Sequence, residues 1–158
     1  MPSTPTSQFR DRSSGSQHRL HVLVVDDAAD VLESVGALLE SQFSVELCSN
    51  STEAFDRMLA KDYDVLCTDY QMPGMSGLDL VDALERRDVM IGVVLVTGRY
   101  ERFAEARKSG GQSVPLSVLL KPYRSGDLLE AVRRTATFAR MKRAVNAIGK
   151  RAPELVGE

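Results

Sequence analysis

Short apolar runs alternate with longer amphipathic segments five times between residues 20 and 148, and this alternation limits the fold more than any other feature of the chain. Runs such as HVLVVD over 21–26 and IGVVLVT over 91–97 are rich in β-branched residues and too short to be helices of ordinary length. They are apolar at successive positions rather than at every second one, which is the pattern of strands covered on both faces. The expected strands are 21–26, 43–48, 63–69, 91–97 and 117–120. Between them, 29–41 carries Val31, Leu32, Val35, Leu38 and Leu39 on one helical stripe. Helices are also expected at 51–60, where Asn50 and Glu53 have capping-box spacing, and at 77–86, where Ser76 and Asp79 repeat it. The segment 100–109 is a weaker helix with few large apolar residues, and a last helix starts near Ser125. Strands and helices in strict alternation predict an α/β fold, a doubly wound five-stranded parallel sheet with five helices. Right-handed crossovers favour the strand order 2-1-3-4-5.

In such sheets a site forms beyond the carboxyl ends of the strands, where the strand order reverses. That point lies between the first strand, which ends in Asp26 and Asp27, and the third, which ends in Asp69. Thr97 ends the fourth strand and Lys121 the fifth. Clustered carboxylates repel one another unless a cation joins them. Mg²⁺ suits the setting, because it takes oxygen ligands, keeps several waters, and combines one or two carboxylates with phosphate oxygens. The expected ligands are Asp27 and Asp69 directly, Asp26 through water, and one backbone carbonyl from the turn after Asp69. The Thr97 hydroxyl can donate to a phosphoryl oxygen, and Lys121 supplies a close positive charge. Pro122 biases the Lys121 backbone toward extended geometry. One carboxylate, one metal, one hydroxyl and one lysine meet the needs of phosphoryl transfer, which are positioning and charge neutralisation. Each residue alone has a plainer reading. Asp26 and Asp27 can cap a helix, Thr97 can be an ordinary strand end, and Lys121 a solvated one.

Four motifs in order, VVDD over 24–27, DYQMPGMSG over 69–77, VTG over 96–98 and LKP over 120–122, resemble the response regulator receiver domain of two-component phosphorelay signalling. The likeness covers about 20–138 and implies the flavodoxin-like, CheY-like version of the sheet. It implies that Asp69 accepts a phosphoryl group from a histidine kinase or phosphotransfer protein. It further implies that Asp26, Asp27, Asp69 and the backbone carbonyl of Gln71 hold Mg²⁺, and that Thr97 and Lys121 contact the phosphoryl group. The domain then signals to a downstream protein target and assists its own dephosphorylation, and it is not a turnover enzyme. Two departures concern read-out. Val118 stands where the family often has Tyr or Phe, and RKSGGQSVP over 107–115 replaces the usual approach to the fifth strand. Tyr100 and Tyr123 are the nearby aromatics. These departures leave open a pseudo-receiver that binds protein without phosphorylation. A hydrolase with an aspartate nucleophile is disfavoured by Gln71, which stands where a second acid is usual, and by the lack of a lid-sized insertion.

With 158 residues and 43% hydrophobic content the chain can bury one domain's core. Residues 1–19 are rich in Ser, Thr, Pro, Gln and Arg and are expected to be a disordered tail. Cys48 and Cys67 lie in apolar runs as core thiols, and two Cys with two His make no zinc spacing. No run approaches the ~20 apolar residues of a membrane span, and the N-terminus has no secretory pattern, so a cytoplasmic protein is expected. Residues 131–151 carry seven basic residues and no acid, against −2 for the whole chain, so the remainder carries a net −9. The helical pattern continues past the domain as a basic extension over 139–158. Phe138, Met141, Val145 and Ile148 form a second apolar stripe, with Gly149 and Pro153 expected to stop the helix. That stripe can pair with a second copy, dock a partner or begin a linker. A homodimer through it or through the altered output face is one expectation. Direct nucleic-acid binding is not expected, because no helix-turn-helix follows. The resemblance also assigns Gln71 and Arg99 to positions that tune phosphoryl lifetime. The double variant Gln71→Ala, Arg99→Ala is expected to change the decay rate of the phosphorylated form, followed by intact mass against time.

Overall fold

The computed structural model describes residues 19–107 and 116–151. Five strands, β1 (His21–Val25), β2 (Ser44–Cys48), β3 (Val65–Asp69), β4 (Gly92–Thr97) and β5 (Leu116–Leu120), form one sheet in the order β2-β1-β3-β4-β5. All four pairings are parallel. The helices are α1 (Ala29–Glu40), α2 (Ser51–Ala60), α3 (Gly77–Arg86), α4 (Tyr100–Arg107) and α5 (Ser125–Arg151). The expected fold is therefore present, with strand starts within two residues of the sequence reading. The segments 1–18, 108–115 and 152–158 lie outside the described residues, and with them most of the expected tail, the altered approach to β5, and Pro153.

Successive apolar residues in the strands feed opposite faces of the sheet. Val22 and Val24 of β1 pack with Leu32, Val35 and Leu39 of α1 and Leu128 and Val132 of α5. Leu23 and Val25 pack on the other face with Ala54 and Met58 of α2 and Leu80, Val81 and Leu84 of α3. A smaller cluster of Leu78, Leu95 and Phe103 seats α4, with Val118 half-buried beside it. Cys48 and Cys67 are free and buried, as expected, and burial pushes the Cys67 thiol up to about 12.

Both predicted caps form. The Asn50 side chain accepts from the Glu53 N–H, and Ser76 and Asp79 complete a reciprocal box at the start of α3. The expectation that Gly149 stops the last helix is not met, since α5 runs through it to Arg151. A glycine ends a helix only where the backbone turns left-handed. Inside a helix it costs about 1 kcal/mol relative to alanine, which continued hydrogen bonding offsets.

The close approach of α5 to β4 depends on Gly92. A Cβ there would lie 2.6 Å from the Thr135 carbonyl oxygen, a backbone atom with no rotamer to escape into. Gly92→Ala is expected to destabilise the fold by about 2 kcal/mol, by analogy with overpacked cores, read as a lower urea midpoint with an unchanged m value.

Candidate phosphoacceptor and metal site

The register of the sheet builds the site. β1 and β3 are neighbours, with Val25 opposite Thr68, so the residues that follow them emerge side by side at the carboxyl edge. Ligand oxygens from Asp26, Asp27 and Asp69 all lie within 4.8 Å of one another. Asp26 is buried, Asp69 half-buried and Asp27 exposed. The Asp26 carboxylate accepts from the Ala28 N–H at 2.9 Å, so it tightens the β1–α1 turn. Ala28, not either acid, is the N-cap of α1, and no side chain caps it. The plain helix-cap reading of this pair therefore does not account for Asp27.

Lys121 follows β5, and its backbone N–H donates to the Thr97 carbonyl at 2.9 Å, continuing the β4–β5 ladder. Its Nζ lies 3.5 Å from Asp69 Oδ1. The Lys121–Pro122 peptide is cis, a feature the sequence reading did not anticipate. Thr97 is buried at the end of β4, one residue beyond Val96, the partner of Asp69. Its Oγ1 accepts from the Arg99 N–H at 3.0 Å, which leaves the hydroxyl proton for donation. Gln71 is exposed in the loop leaving Asp69. The loop is closed at its base by the Gly77 N–H donating to the Tyr70 carbonyl, 2.9 Å.

Two supports of Asp69 were not foreseen. Gly77, the first residue of α3, sits against the Asp69 carbonyl so closely that a Cβ would collide with it. Ser51, buried at the start of α2, donates to the Met75 carbonyl at 2.8 Å and pins the far arm of the loop. The GMSG string hinted at the first. Nothing local to Ser51 hinted at the second, because its partner is 24 residues away.

Electrostatically the edge is unbalanced. Burial pushes the Asp26 carboxyl up, the Ala28 N–H opposes this, and the charges of Asp69 and Asp27 add to the rise while Lys121 offsets it. Tyr123 is also pushed up, first by its burial and then by nearby Cys67, Asp26 and Asp69. Three carboxylates against one ammonium leave an oxygen-rich site with excess negative charge, and that donor set fits a hard divalent cation such as Mg²⁺.

A 2-1-3-4-5 parallel sheet with an acidic cluster at its switch point defines the CheY-like class of doubly wound α/β domains. The chain belongs to the response regulator receiver family: the family model for the response regulator receiver domain matches residues 22–133. It is 34% identical over 139 residues to the transcriptional regulatory protein FixJ of Azorhizobium caulinodans, covering 84% of this chain and 64% of that one. It is 28% identical over 142 residues to the DNA-binding transcriptional regulator NtrC of Escherichia coli, covering 87% of this chain and 29% of that one. The chain thus spans less than two thirds of either relative. Among solved structures it resembles a receiver domain protein from Clostridium thermocellum, at 27% identity and a TM-score of 0.68, over 77% of this chain and 98% of that one. The crystal structure of FixJ-N aligns at 26% identity and a TM-score of 0.66, over 75% and 94%. The domain is a two-component signalling module. Among its described residues no helix is long and apolar enough to cross a membrane.

Removing one carboxylate relieves both repulsion and burial cost in the metal-free protein. Asp26→Asn is expected to raise the metal-free melting temperature by about 2–4 °C and to abolish the further rise on adding Mg²⁺. Differential scanning fluorimetry with and without Mg²⁺ reads both.

Proposed function

We propose that this domain accepts a phosphoryl group onto Asp69 from a phosphohistidine of a histidine kinase or phosphotransfer protein, and passes the signal through contact with a downstream protein in the cytoplasm. The reading rests on one observation: three carboxylates whose oxygens lie within 4.8 Å of one another, with Lys121 Nζ 3.5 Å from Asp69 Oδ1. Asp69 is the member with both partial exposure and a lysine at hand, so it is the acceptor. Asp26, Asp27, Asp69 and the Gln71 carbonyl would hold Mg²⁺. The ion would supply positive charge that offsets the negative charge gathered at the site.

The residues divide the remaining work. An Asp69 oxygen forms a bond to phosphorus as the phosphorus–nitrogen bond of the donor breaks. The bonding pair stays on the ring nitrogen, and the donor leaves as neutral imidazole because its other ring nitrogen is already protonated in the phosphohistidine. Lys121 shifts from the Asp69 carboxylate to an oxygen of the new acyl phosphate. The Thr97 hydroxyl, oriented by the Arg99 N–H, donates to another. Little covalent chemistry is required of the protein beyond this positioning. Hydrolysis of the acyl phosphate returns Asp69 and inorganic phosphate, so the mark is temporary.

Incubation with Mg²⁺ and acetyl phosphate tests the proposal. The wild-type chain is expected to gain the mass of one phosphoryl group, and Asp69→Asn to gain none. A wild-type chain that is stabilised by Mg²⁺ yet takes no phosphoryl group would identify a pseudo-receiver instead. Lys121→Met is expected to retain Mg²⁺ binding and lose most of the adduct.

A further inference from the structure

Ser51, the first residue of α2, carries a buried hydroxyl that does not cap its own helix. Asn50 is the N-cap, and its side chain already accepts from the Glu53 N–H at 2.8 Å. The Ser51 side chain instead crosses to the loop that follows Asp69. Its Oγ donates to the Met75 carbonyl at 2.8 Å and lies 3.7 Å from the Met72 sulfur. One hydroxyl therefore touches both arms of the loop. Met72 directly follows Gln71, and Met75 directly precedes Ser76, the N-cap of α3. Between the arms the chain reverses at Gly74, whose φ of +78° lies in the left-handed region that favours glycine.

Other fixed points of this loop lie at its base. The Thr68 hydroxyl donates to the Asp69 carbonyl at 3.0 Å. The Tyr70 N–H donates to the Val96 carbonyl, and the Tyr70 carbonyl accepts from the Gly77 N–H. These bonds set where the chain leaves the sheet, and the far arm is left to Ser51. Ser51 also stands on the side of the loop that faces the acidic pair. It borders, with Asp27, Met72 and Met75, a cleft of about 270 Å³.

We propose that Ser51 is a positioning residue for the Gln71 carbonyl, and that through this carbonyl it sets the preference of the site for Mg²⁺ over Ca²⁺. The inference rests on the reading of Asp26, Asp27, Asp69 and the Gln71 carbonyl as a metal site. By tying Met72 and Met75 to α2, the hydroxyl holds the loop, and Gln71 with it, in one position relative to Asp27 and Asp69. Mg²⁺ demands near-octahedral geometry at short distances, whereas Ca²⁺ accepts more oxygens in looser arrangements. A carbonyl free to drift is therefore a larger loss to Mg²⁺ than to Ca²⁺. A hydrogen bond that only stabilised the fold would change the melting temperature without changing the preference between the two ions.

The test needs no phosphoryl donor. The melting temperature of the full chain is followed against Mg²⁺ and, separately, against Ca²⁺. Ser51→Ala is expected to weaken Mg²⁺ binding roughly fivefold and Ca²⁺ binding less than about twofold, with unchanged circular dichroism. Ser51→Thr, which keeps a hydroxyl, is expected to retain the wild-type ratio of the two affinities. Thr52→Ala, an exposed neighbour on the same cleft, is expected to leave that ratio unchanged. Ser51→Cys, close to serine in size and a weaker donor, is expected to fall between, and it carries the test if Ser51→Ala does not fold. If the wild type binds Mg²⁺, an unchanged ratio in Ser51→Ala, a Ser51→Thr chain with the alanine ratio, or an equal shift in Thr52→Ala would each overturn the positioning role and leave the metal site standing. A wild-type chain that binds no Mg²⁺ would overturn the site and the positioning role together.

Discussion

The adjacency of β1 and β3 is the constraint on which everything else in this domain depends. It brings the ends of two strands, 43 residues apart in Asp26 and Asp69, to one edge and forces carboxylates together that repel. The sheet core opposes that repulsion. Val22, Leu23, Val24 and Val25 are all essentially inaccessible, as are Val65 and Leu66, so the two strands cannot slide apart without exposing both faces of the sheet. A register slip by one residue would also exchange the α1–α5 face of a strand for the α2–α3 face. The site is therefore a strained edge on a rigid body, and a cation relieves the strain.

Much of this was legible in the sequence, for identifiable reasons. Strands covered on both faces must be apolar at consecutive positions, so β1, β3 and β4 stood out, and the carboxylates that interrupt them stood out with them. Ser76 and Asp79 disclosed the start of α3 because capping is a local interaction with a fixed spacing. What could not be read depends on distant pairs. Asp64 was read as one residue of the third strand, yet it precedes β3 and joins the His21 backbone to two arginines more than 75 residues on. Ser51 looked like an ordinary first helical residue, yet it holds the loop after Asp69. The end of α5 was misplaced because Gly149 was taken as a stop, although glycine only permits a turn and does not compel one.

The α4–β5 side of the domain is less conventional than its carboxylate edge. Val118 and Tyr70 both pack against the cluster of Leu78, Leu95 and Phe103, and Tyr70 meets Phe103 edge-on with ring centroids 6.2 Å apart. An aromatic cluster is thus present between α4 and the sheet, contributed by the residue after Asp69 and by α4 rather than by β5. Tyr100, at the start of α4, is 54% exposed, and Tyr123 is packed among the residues of the α1–α5 face. Tyr70 thus touches both the carboxylate edge and α4: its backbone N–H donates to the Val96 carbonyl, and its ring meets Phe103.

The Asp64 anchor also settles traffic around the domain. It binds the first residue of β1 and the last turns of α5 at the same pole, opposite to Asp69. The start of β1 and the later turns of α5 are thereby held side by side, at the end of the sheet opposite Asp69. Within the described residues, the carboxylate edge is the end of the sheet away from both of these boundaries.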